Sequence, residues 1–409
     1  MLICVGTGFA SGLPLFLLIQ LVPAWLRVEG ISLTVIGFFA LIQLPYNFKF
    51  VWAPLLERYR WPFLGLRRGW LLITQIGLIA CIASLGFWDP QAQIWLIVWT
   101  ATAIAVFSAT QDVVIDAFRR EILHTEAEQG MGNSVHVQVY RLAGFIPGSL
   151  GLILADYIAW DMNFAVMAAF MGVGVLLTLL VREPAHDELR ADTLGEAVVT
   201  PFKEFFTRRQ PRAAFAVLGF LLLYKLGDNM ATALATPFYI DLGFELSEIG
   251  IIAKNAALWP AIAGGILGGL IIVKIGINRA LWCFGVVQII TIFGFVWLSQ
   301  TEPTRVALAV VIAAEYIGVG LGTAASVAFI ARETSLMAVA TQFALFTAIA
   351  ALPRTGMSAL SGVLIDSIGY TDFFYVCVMC ALPGMVLLVW VAPWNERAPA
   401  PQETPRAEG

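Results

Sequence analysis

Nine charged side chains lie inside long apolar runs of this sequence, where a charge is costly. They are Asp112, Asp116, Asp228, Glu315, Lys49, Arg141, Lys225, Lys254 and Arg354. A charge at the centre of a membrane-spanning helix costs at least about 2.5–3.5 kcal/mol, so it normally faces a cavity or a partner of opposite sign. The pattern predicts either a charged transport pathway or buried ion pairs that hold helices in register.

The first candidates for proton chemistry are Asp112 and Asp116, which are four residues apart and therefore share one helix face. Two neighbouring carboxylates do not both ionise cheaply, so we expect the pair to take up and release a proton. Alternatively, Asp116 lies near the end of its span and forms an ion pair with Arg58 or Arg67.

Asp228 and Glu315 are the other two candidates for proton coupling. Lys225 precedes Asp228 by three residues and can pair with it on one helix face. Glu315 lies about 14 Å into its span at 1.5 Å per residue, near the middle of the membrane. It has no obvious local partner, which suits a carboxyl that titrates.

The five cations within spans predict a binding site for an anionic substrate. The predicted substrate-binding residues are Lys49, Gln111, Tyr140, Arg141, Tyr224, Lys225, Lys254 and Arg354. The aromatic members of this set can pack against sugar rings, and ordinary core packing is the alternative. For the cations, the alternative is ion pairing within the protein.

Membrane-spanning helices must hold these residues. Of 409 residues, 59% are hydrophobic and 13% are charged, whereas soluble domains have about 45–50% and about 25%. Twelve segments are apolar over the roughly 20 residues that a span needs. They are 2–25, 33–54, 70–88, 94–117, 132–156, 162–181, 213–239, 247–273, 280–299, 306–330, 339–366 and 371–393. The sequence therefore predicts an all-α membrane protein with twelve transmembrane helices.

The basic residues predict the orientation. With the N-terminus inside, 17 Lys and Arg fall in inner loops and two in outer loops, so both termini should be cytoplasmic. Residues 182–212 predict a cytoplasmic linker that contains an amphipathic helix on the membrane surface. Residues 394–409 are rich in Pro, Ala and Glu and predict a disordered tail.

An internal repeat relates the two halves of the chain. Gly37 matches Gly250 and Arg141 matches Arg354, each 213 residues apart. These matches predict a six-helix unit at 1–181 that is duplicated at 213–393. Two pseudo-symmetric halves related by an axis along the membrane normal are typical of the major facilitator superfamily.

A basic loop after the second span is a candidate gate. Glu57, Arg58, Arg67 and Arg68 resemble the superfamily's signature loop, an acid and an Arg followed by Gly-Arg-Arg. Such a loop can hold inner helix ends together through ion pairs and helix dipoles. The alternative is the general excess of basic residues in cytoplasmic loops.

Five runs extend the resemblance over nearly the whole chain. They are GFASGLPL at 8–15, FKFVWAPL at 48–55, SATQDVVIDAF at 108–118, YKLGD at 224–228 and ATQFAL at 340–345. Together they resemble the AmpG-type muropeptide permeases of bacteria. The resemblance implies proton-driven import of anhydro-muropeptides (GlcNAc-anhydro-MurNAc with or without peptide) through the inner membrane in cell-wall recycling. It also implies indirect control of β-lactamase induction, and it places the family's paired aspartates at Asp112 and Asp116.

Two other functions are weaker alternatives. A carrier of another anionic substrate, such as a coenzyme A ester or small peptide, is the first, and a membrane enzyme is the second. We expect no metal or other cofactor, because there are three His and all five Cys lie in apolar runs. The net charge of -4 disfavours a nucleic-acid partner. The expected partners are substrate, protons and lipid, and we expect a monomer.

Overall fold

The computed structural model describes residues 2–53, 56, 65–123, 126–181, 211–334 and 339–395. Twelve helical spans run through this part of the chain. They are α1 (2–28), α2 (33–51), α3 (Arg67–Leu85), α4 (Ile94–Ile122), α5 (126–155), α6 (Trp160–Leu180), α7 (Pro211–Asp241), α8 (Leu246–Ile275), α9 (Ile277–Gln300), α10 (Arg305–Glu333), α11 (339–368) and α12 (370–391).

The spans fit a membrane by length and composition. Ten helical segments of the described chain are long and apolar enough to cross it, and one of these, Phe346–Val391, holds parts of both α11 and α12. Gly369 separates α11 from α12 because its φ of 81° is not helical. Within α2, Leu33–Phe48 is a shorter apolar helix. The predicted all-α membrane fold with twelve spans is confirmed.

Several spans differ in detail from the prediction. The helices α4 and α10 were expected at 94–117 and 306–330 but continue to Ile122 and Glu333. Hydropathy marks only the apolar part of a helix, whereas the hydrogen-bonded helix extends into polar residues at its end. The span α2 is broken by two 3₁₀ segments, Phe39–Gln43 and Lys49–Val51.

Glycines at turns extend the internal repeat. Gly30, between α1 and α2, has a φ of 79°, and Gly243, between α7 and α8, has a φ of 89°. The two positions are 213 residues apart, which is the spacing seen in the sequence.

The predicted surface helix in the linker lies outside the described residues, as do residues 396–409.

Three π-helical turns interrupt spans where the two halves contact each other. They are Leu17–Leu21 in α1, Ile146–Leu150 in α5 and Ile249–Ala253 in α8. Pro147 cannot donate a backbone hydrogen bond, which favours such a break in α5. Turns of this kind change the direction of neighbouring side chains and are frequent at functional sites.

Gly148 lies where the three π-turns meet. A Cβ atom at this position would lie 1.7 Å from Oε1 of Gln20 and 3.3 Å from Cε of Lys254. Any side chain would therefore displace Gln20. Glycine at this position lets α1, α5 and α8 approach one another, which joins the two halves at the centre.

Polar contacts hold the halves together at the face opposite the chain termini. We call this set the outer seal, and it consists of Arg27, Thr34, Asp156, Asp241, Ser247 and Asp366. Nε and Nη2 of Arg27 donate to Asp241 at 2.6 and 2.7 Å. The backbone N and Oγ1 of Thr34 both donate to Oδ2 of Asp366 at 2.7 Å. The backbone N of Ser247 donates to Oδ2 of Asp156 at 2.7 Å.

Candidate functional site

A cavity of about 310 Å³ lies between the two halves. The helices α1, α2 and α5 line it from the first half, and α7, α8, α10 and α11 line it from the second. Cavities for small ligands span about 300–1,000 Å³, so the volume is sufficient for a small molecule.

Three predicted substrate-binding cations line this cavity, namely Arg141, Lys254 and Arg354. Arg141 and Arg354 lie near the middle of their spans, yet their side chains are exposed and line the cavity. Water can therefore enter the cavity. Nζ of Lys254 donates to Oγ1 of Thr236 at 3.3 Å. Among the described residues, none of the three cations forms an ion pair with a carboxylate. The cavity therefore carries three positive charges that the described protein does not neutralise.

Lys49 is not part of the cavity wall, contrary to the expectation that five cations line one cavity. Its Nζ lies 3.8 Å from Oδ2 of Asp116. Nη2 of Arg119 donates to the other oxygen of Asp116 at 2.6 Å. Asp116 thus pairs with Arg119 and Lys49 rather than with Arg67, and Arg58 lies outside the described residues.

Lys225 also lies away from the cavity wall. Its Nζ is 3.3 Å from Oδ2 of Asp228 and donates to Oγ1 of Thr323 at 2.8 Å. The expected pairing of Lys225 with Asp228 is confirmed. The lysine side chain joins α7 to α10 inside the second half.

The other three predicted substrate contacts are packed within the helices. Gln111 is fully buried, and its Nε2 donates to the backbone O of Ala10 at 2.8 Å. Oη of Tyr224 donates to the backbone O of Leu281 at 2.8 Å. The ring of Tyr140 packs 5.4 Å from that of Phe16, which lines the cavity. None of the three predicted residues is in the cavity wall.

Asp112 lies between α4 and α1. Oγ of Ser11 donates to its Oδ1 at 2.5 Å. Asp116 lies one turn further along α4, and the exposed fraction of its side chain is 47%. The two aspartates therefore have different surroundings: Asp112 is held by a hydroxyl between two helices, and Asp116 lies in a partly exposed cluster of basic side chains.

Asp228 and Glu315 are a second pair of carboxyls, deep in the second half. Their exposed fractions are 4% and 0%. Oδ2 of Asp228 accepts a hydrogen bond from Nε2 of Gln288 at 3.5 Å, in addition to its contact with Lys225. Among the described residues, both oxygens of Glu315 and Oδ1 of Asp228 are buried without a hydrogen-bond partner.

The predicted gate is described only in part. Nη2 of Arg67 donates to Oε1 of Glu121 at 2.7 Å, which joins α3 to α4. Nε of Arg68 donates to the backbone O of Thr178 at 2.9 Å, near the C-terminal end of α6. The contact of Arg67 is an ion pair, and the contact of Arg68 is with a carbonyl near a helix end. Both kinds of interaction were expected for the basic loop. Glu57 and Arg58 lie outside the described residues.

The sequence-based prediction missed several polar residues of the cavity wall. They are Gln20, Gln43, Asn229, Thr232, Thr236, Tyr316 and Ser358. The signal that could identify them in the sequence is the presence of uncharged polar residues within apolar spans. Gln20 is the clearest case, because its buried Oε1 has no hydrogen-bond partner among the described residues.

The described chain forms two helical halves around a charged cavity that admits water and is closed at one face. This arrangement defines a multi-pass membrane transporter. The chain belongs to the Major Facilitator Superfamily, whose sequence model matches residues 4–354. It is therefore a transporter and not an enzyme.

Relatives and solved structures agree with this assignment. The chain is 39% identical to the anhydromuropeptide permease of Escherichia coli K12 over 384 residues, which cover 93% of this chain and 77% of the relative. It is 48% identical over 405 residues to an uncharacterized protein of Haemophilus influenzae, covering 97% and 95% of the two chains. The nucleoside transporter NupG has a similar fold, with a TM-score of 0.72 at 14% identity and coverage of 97% and 99%. A D-xylose-proton symporter also gives 0.72, at 11% identity and coverage of 96% and 98%.

Proposed function

We propose that this chain imports anhydro-muropeptides from the periplasm to the cytoplasm through the bacterial inner membrane, coupled to protons. The relative from Escherichia coli that carries the name anhydromuropeptide permease matches over most of this chain. This match favours anhydro-muropeptides over the alternative, a coenzyme A ester or another small peptide. In this role the chain would serve cell-wall recycling and act indirectly on β-lactamase induction.

The cavity cations carry the proposal. Arg141, Lys254 and Arg354 line the cavity without carboxylate partners among the described residues. Peptide-bearing muropeptides have several carboxylates, and hydrogen bonds between charged partners contribute about 1.5–3 kcal/mol each. An anionic substrate would therefore neutralise charge that the described protein leaves uncompensated.

The outer seal supports a mechanism of alternating access. If both termini are cytoplasmic, as the basic residues predict, the seal lies on the periplasmic side. Arg27 with Asp241, Thr34 with Asp366 and Ser247 with Asp156 then close the cavity toward the periplasm. In this arrangement the structure is closed toward the periplasm, and substrate would leave the cavity toward the cytoplasm.

Protons are proposed to enter through buried carboxyls. Asp112 and Asp116 match the paired aspartates that the family resemblance indicates, and Asp112 is the more enclosed of the two. Asp228 and Glu315 form the second group. We further propose that the two six-helix halves, residues 1–181 and 213–393, move relative to each other. Residues 182–212 would connect them on the cytoplasmic side. The transporter would act as a monomer.

Uptake into proteoliposomes tests this function. Purified protein is reconstituted, labelled GlcNAc-anhydro-MurNAc-tripeptide is added outside, and an inwardly directed proton gradient is imposed. Accumulation above the external concentration is expected with the gradient, and equilibration without it. Labelled acetyl-coenzyme A and a tripeptide serve as competing substrates. Accumulation of either of these, but not of the muropeptide, would favour the alternative carrier.

A further inference from the structure

Two carboxyls face each other at the centre of the second half. Asp228 of α7 and Glu315 of α10 are nearly or fully buried and interact electrostatically. Three of their four oxygens have no hydrogen-bond partner among the described residues. Ionised carboxylates only accept hydrogen bonds, so two ionised carboxylates cannot act as hydrogen-bond partners for each other.

The charges around the pair do not balance. Lys225 lies 3.3 Å from Asp228 and supplies a positive charge that also acts electrostatically on Glu315. The helix α9 contributes Gln288 and Thr291, which are uncharged. The titratable groups that interact with the pair from α7, α10 and α12 are Tyr224, Lys225, Tyr239, Tyr316 and Cys377. Two ionised carboxylates beside one ammonium would leave a buried negative charge.

One proton resolves both problems. A buried unpaired charge is costly enough that the group normally takes up a proton instead. With one proton, the cluster of Lys225, Asp228 and Glu315 becomes neutral. The protonated carboxyl also gains an O–H that can donate to the other carboxylate, which gives two of the three oxygens a hydrogen-bond partner.

The pair lies directly behind the cavity wall. Asn229 and Tyr316, each the next residue after one of the carboxyls, line the cavity. The Tyr316 hydroxyl interacts electrostatically with Arg354, with Glu315 and with Asp228. Tyr316 therefore connects the buried pair to a cation that we propose contacts the substrate.

We infer that Asp228 and Glu315 share one transported proton and that Tyr316 couples its binding to the binding of a substrate carboxylate at Arg354. This inference rests on the proposed proton-coupled import. The positive field of Arg354 opposes protonation of the pair, and a bound carboxylate cancels that field. Substrate and proton then each favour the binding of the other, which is the sign that symport requires. The proton comes from water outside and returns to water inside, and no bond in the substrate changes.

The number of protons per substrate is the measurement. Proteoliposomes hold the membrane potential at zero with potassium and valinomycin while the pH difference is varied. The accumulation ratio of labelled GlcNAc-anhydro-MurNAc-tripeptide then rises by about tenfold per pH unit for each coupled proton. Glu315→Gln should lower the ratio by at least about tenfold at one unit of gradient. It should keep substrate exchange, because the amide resembles the protonated acid.

Glu302→Gln is the matched control, since it removes an exposed carboxyl from the loop between α9 and α10. It should accumulate substrate like the wild type. If Glu315→Gln gives no monodisperse protein, Tyr316→Phe decides the question, because it leaves both carboxyls and removes the hydroxyl that faces them. In this variant the pH dependence of substrate affinity should be flattened.

An unchanged slope of accumulation against pH difference in Glu315→Gln would overturn the inference. If that variant does not fold, an unchanged pH dependence of affinity in Tyr316→Phe would do the same. Failure of the proposed function gives a different result, since the wild type itself would then show no accumulation driven by the gradient.

Discussion

Arg141 and Arg354 are 213 residues apart in the sequence and line the same cavity from opposite halves. Each lies near the middle of its span, α5 or α11, so the internal repeat places two guanidinium groups around one space. An anionic ligand in this cavity would meet one guanidinium group from each half, an arrangement that neither half provides alone.

Replacing Arg141 or Arg354 with Ala should weaken substrate binding while leaving the fold intact. Each side chain is exposed to the cavity, and loss of one charged contact of about 1.5–3 kcal/mol corresponds to about tenfold or more in Kd. Titration calorimetry with the muropeptide and a thermal melt of the same sample give both quantities. Arg212→Ala, at an exposed position at the start of α7, is the control. Normal binding by both variants would contradict the cavity assignment.

Lys225→Ala should lower the Tm of the protein. Removing one partner of a buried pair costs about 3–5 kcal/mol, because the remaining charge is left uncompensated. Protonation of Asp228 and Glu315 can replace the lost positive charge, so the decrease in Tm should be smaller at acidic pH. Thermal melts at several pH values measure this difference. Lys274→Ala, exposed near the end of α8, should change little. An equal decrease at every pH would show that the carboxyls do not take up protons.

Asp112→Asn should lower the accumulation ratio by about tenfold per pH unit of gradient, as expected for the loss of one coupled proton, and should preserve substrate exchange. Asn resembles the protonated carboxyl and can still accept a hydrogen bond from Ser11, but it cannot release a proton. Uptake and counterflow in the same proteoliposomes separate the two activities. Asp372→Asn, at an exposed position in α12, provides the control. An unchanged dependence of accumulation on the pH difference in Asp112→Asn would exclude Asp112 as a coupling residue.

A cross-link through the outer seal should stop transport. Thr34 and Asp366 are in hydrogen-bonding contact across the halves. Cys at both positions, in a background without other cysteines and joined by a short thiol reagent, should fix the closed outer face. Ser299→Cys with Thr371→Cys is the matched control, because those hydroxyls lie 2.8 Å apart within one half. Transport that continues after complete cross-linking of 34 to 366 would contradict opening at this face.

Reporter fusions test the orientation. A phosphatase that is active only in the periplasm should be inactive when fused after residue 409 or inserted in 182–212. The same enzyme inserted between α9 and α10, near Glu302, should be active. The reverse pattern would place the outer seal on the cytoplasmic side.

The sequence was sufficient for the architecture because that depends on composition and periodicity. Apolar length predicts the spans, and the spacing of Arg141 and Arg354 predicts two related halves. The break of α2 into α and 3₁₀ segments and the π-turns beside Gln20 and Lys254 were not predictable. These breaks arise where several helices pack together, and hydropathy contains no information about that packing.

The site was predicted only in part, for a related reason. A charged residue in a span must face either water or a partner, and the sequence does not distinguish the two. Lys254 and Arg354 face the cavity, whereas Lys49 and Lys225 have carboxylate partners on α4 and α7. Only the three-dimensional arrangement separates the cations available to a ligand from those that join helices.

The polar character of the outer seal has a thermodynamic consequence. Ion pairs that remain partly exposed, such as Arg27 with Asp241, contribute about 0–1 kcal/mol, because water solvates the separated charges nearly as well. Separating these polar groups therefore costs little. Buried apolar residues of both halves also share one core, for example Ile36 and Ile365, so the free energy of binding a proton or a substrate must offset the exposure of this apolar surface when the face opens.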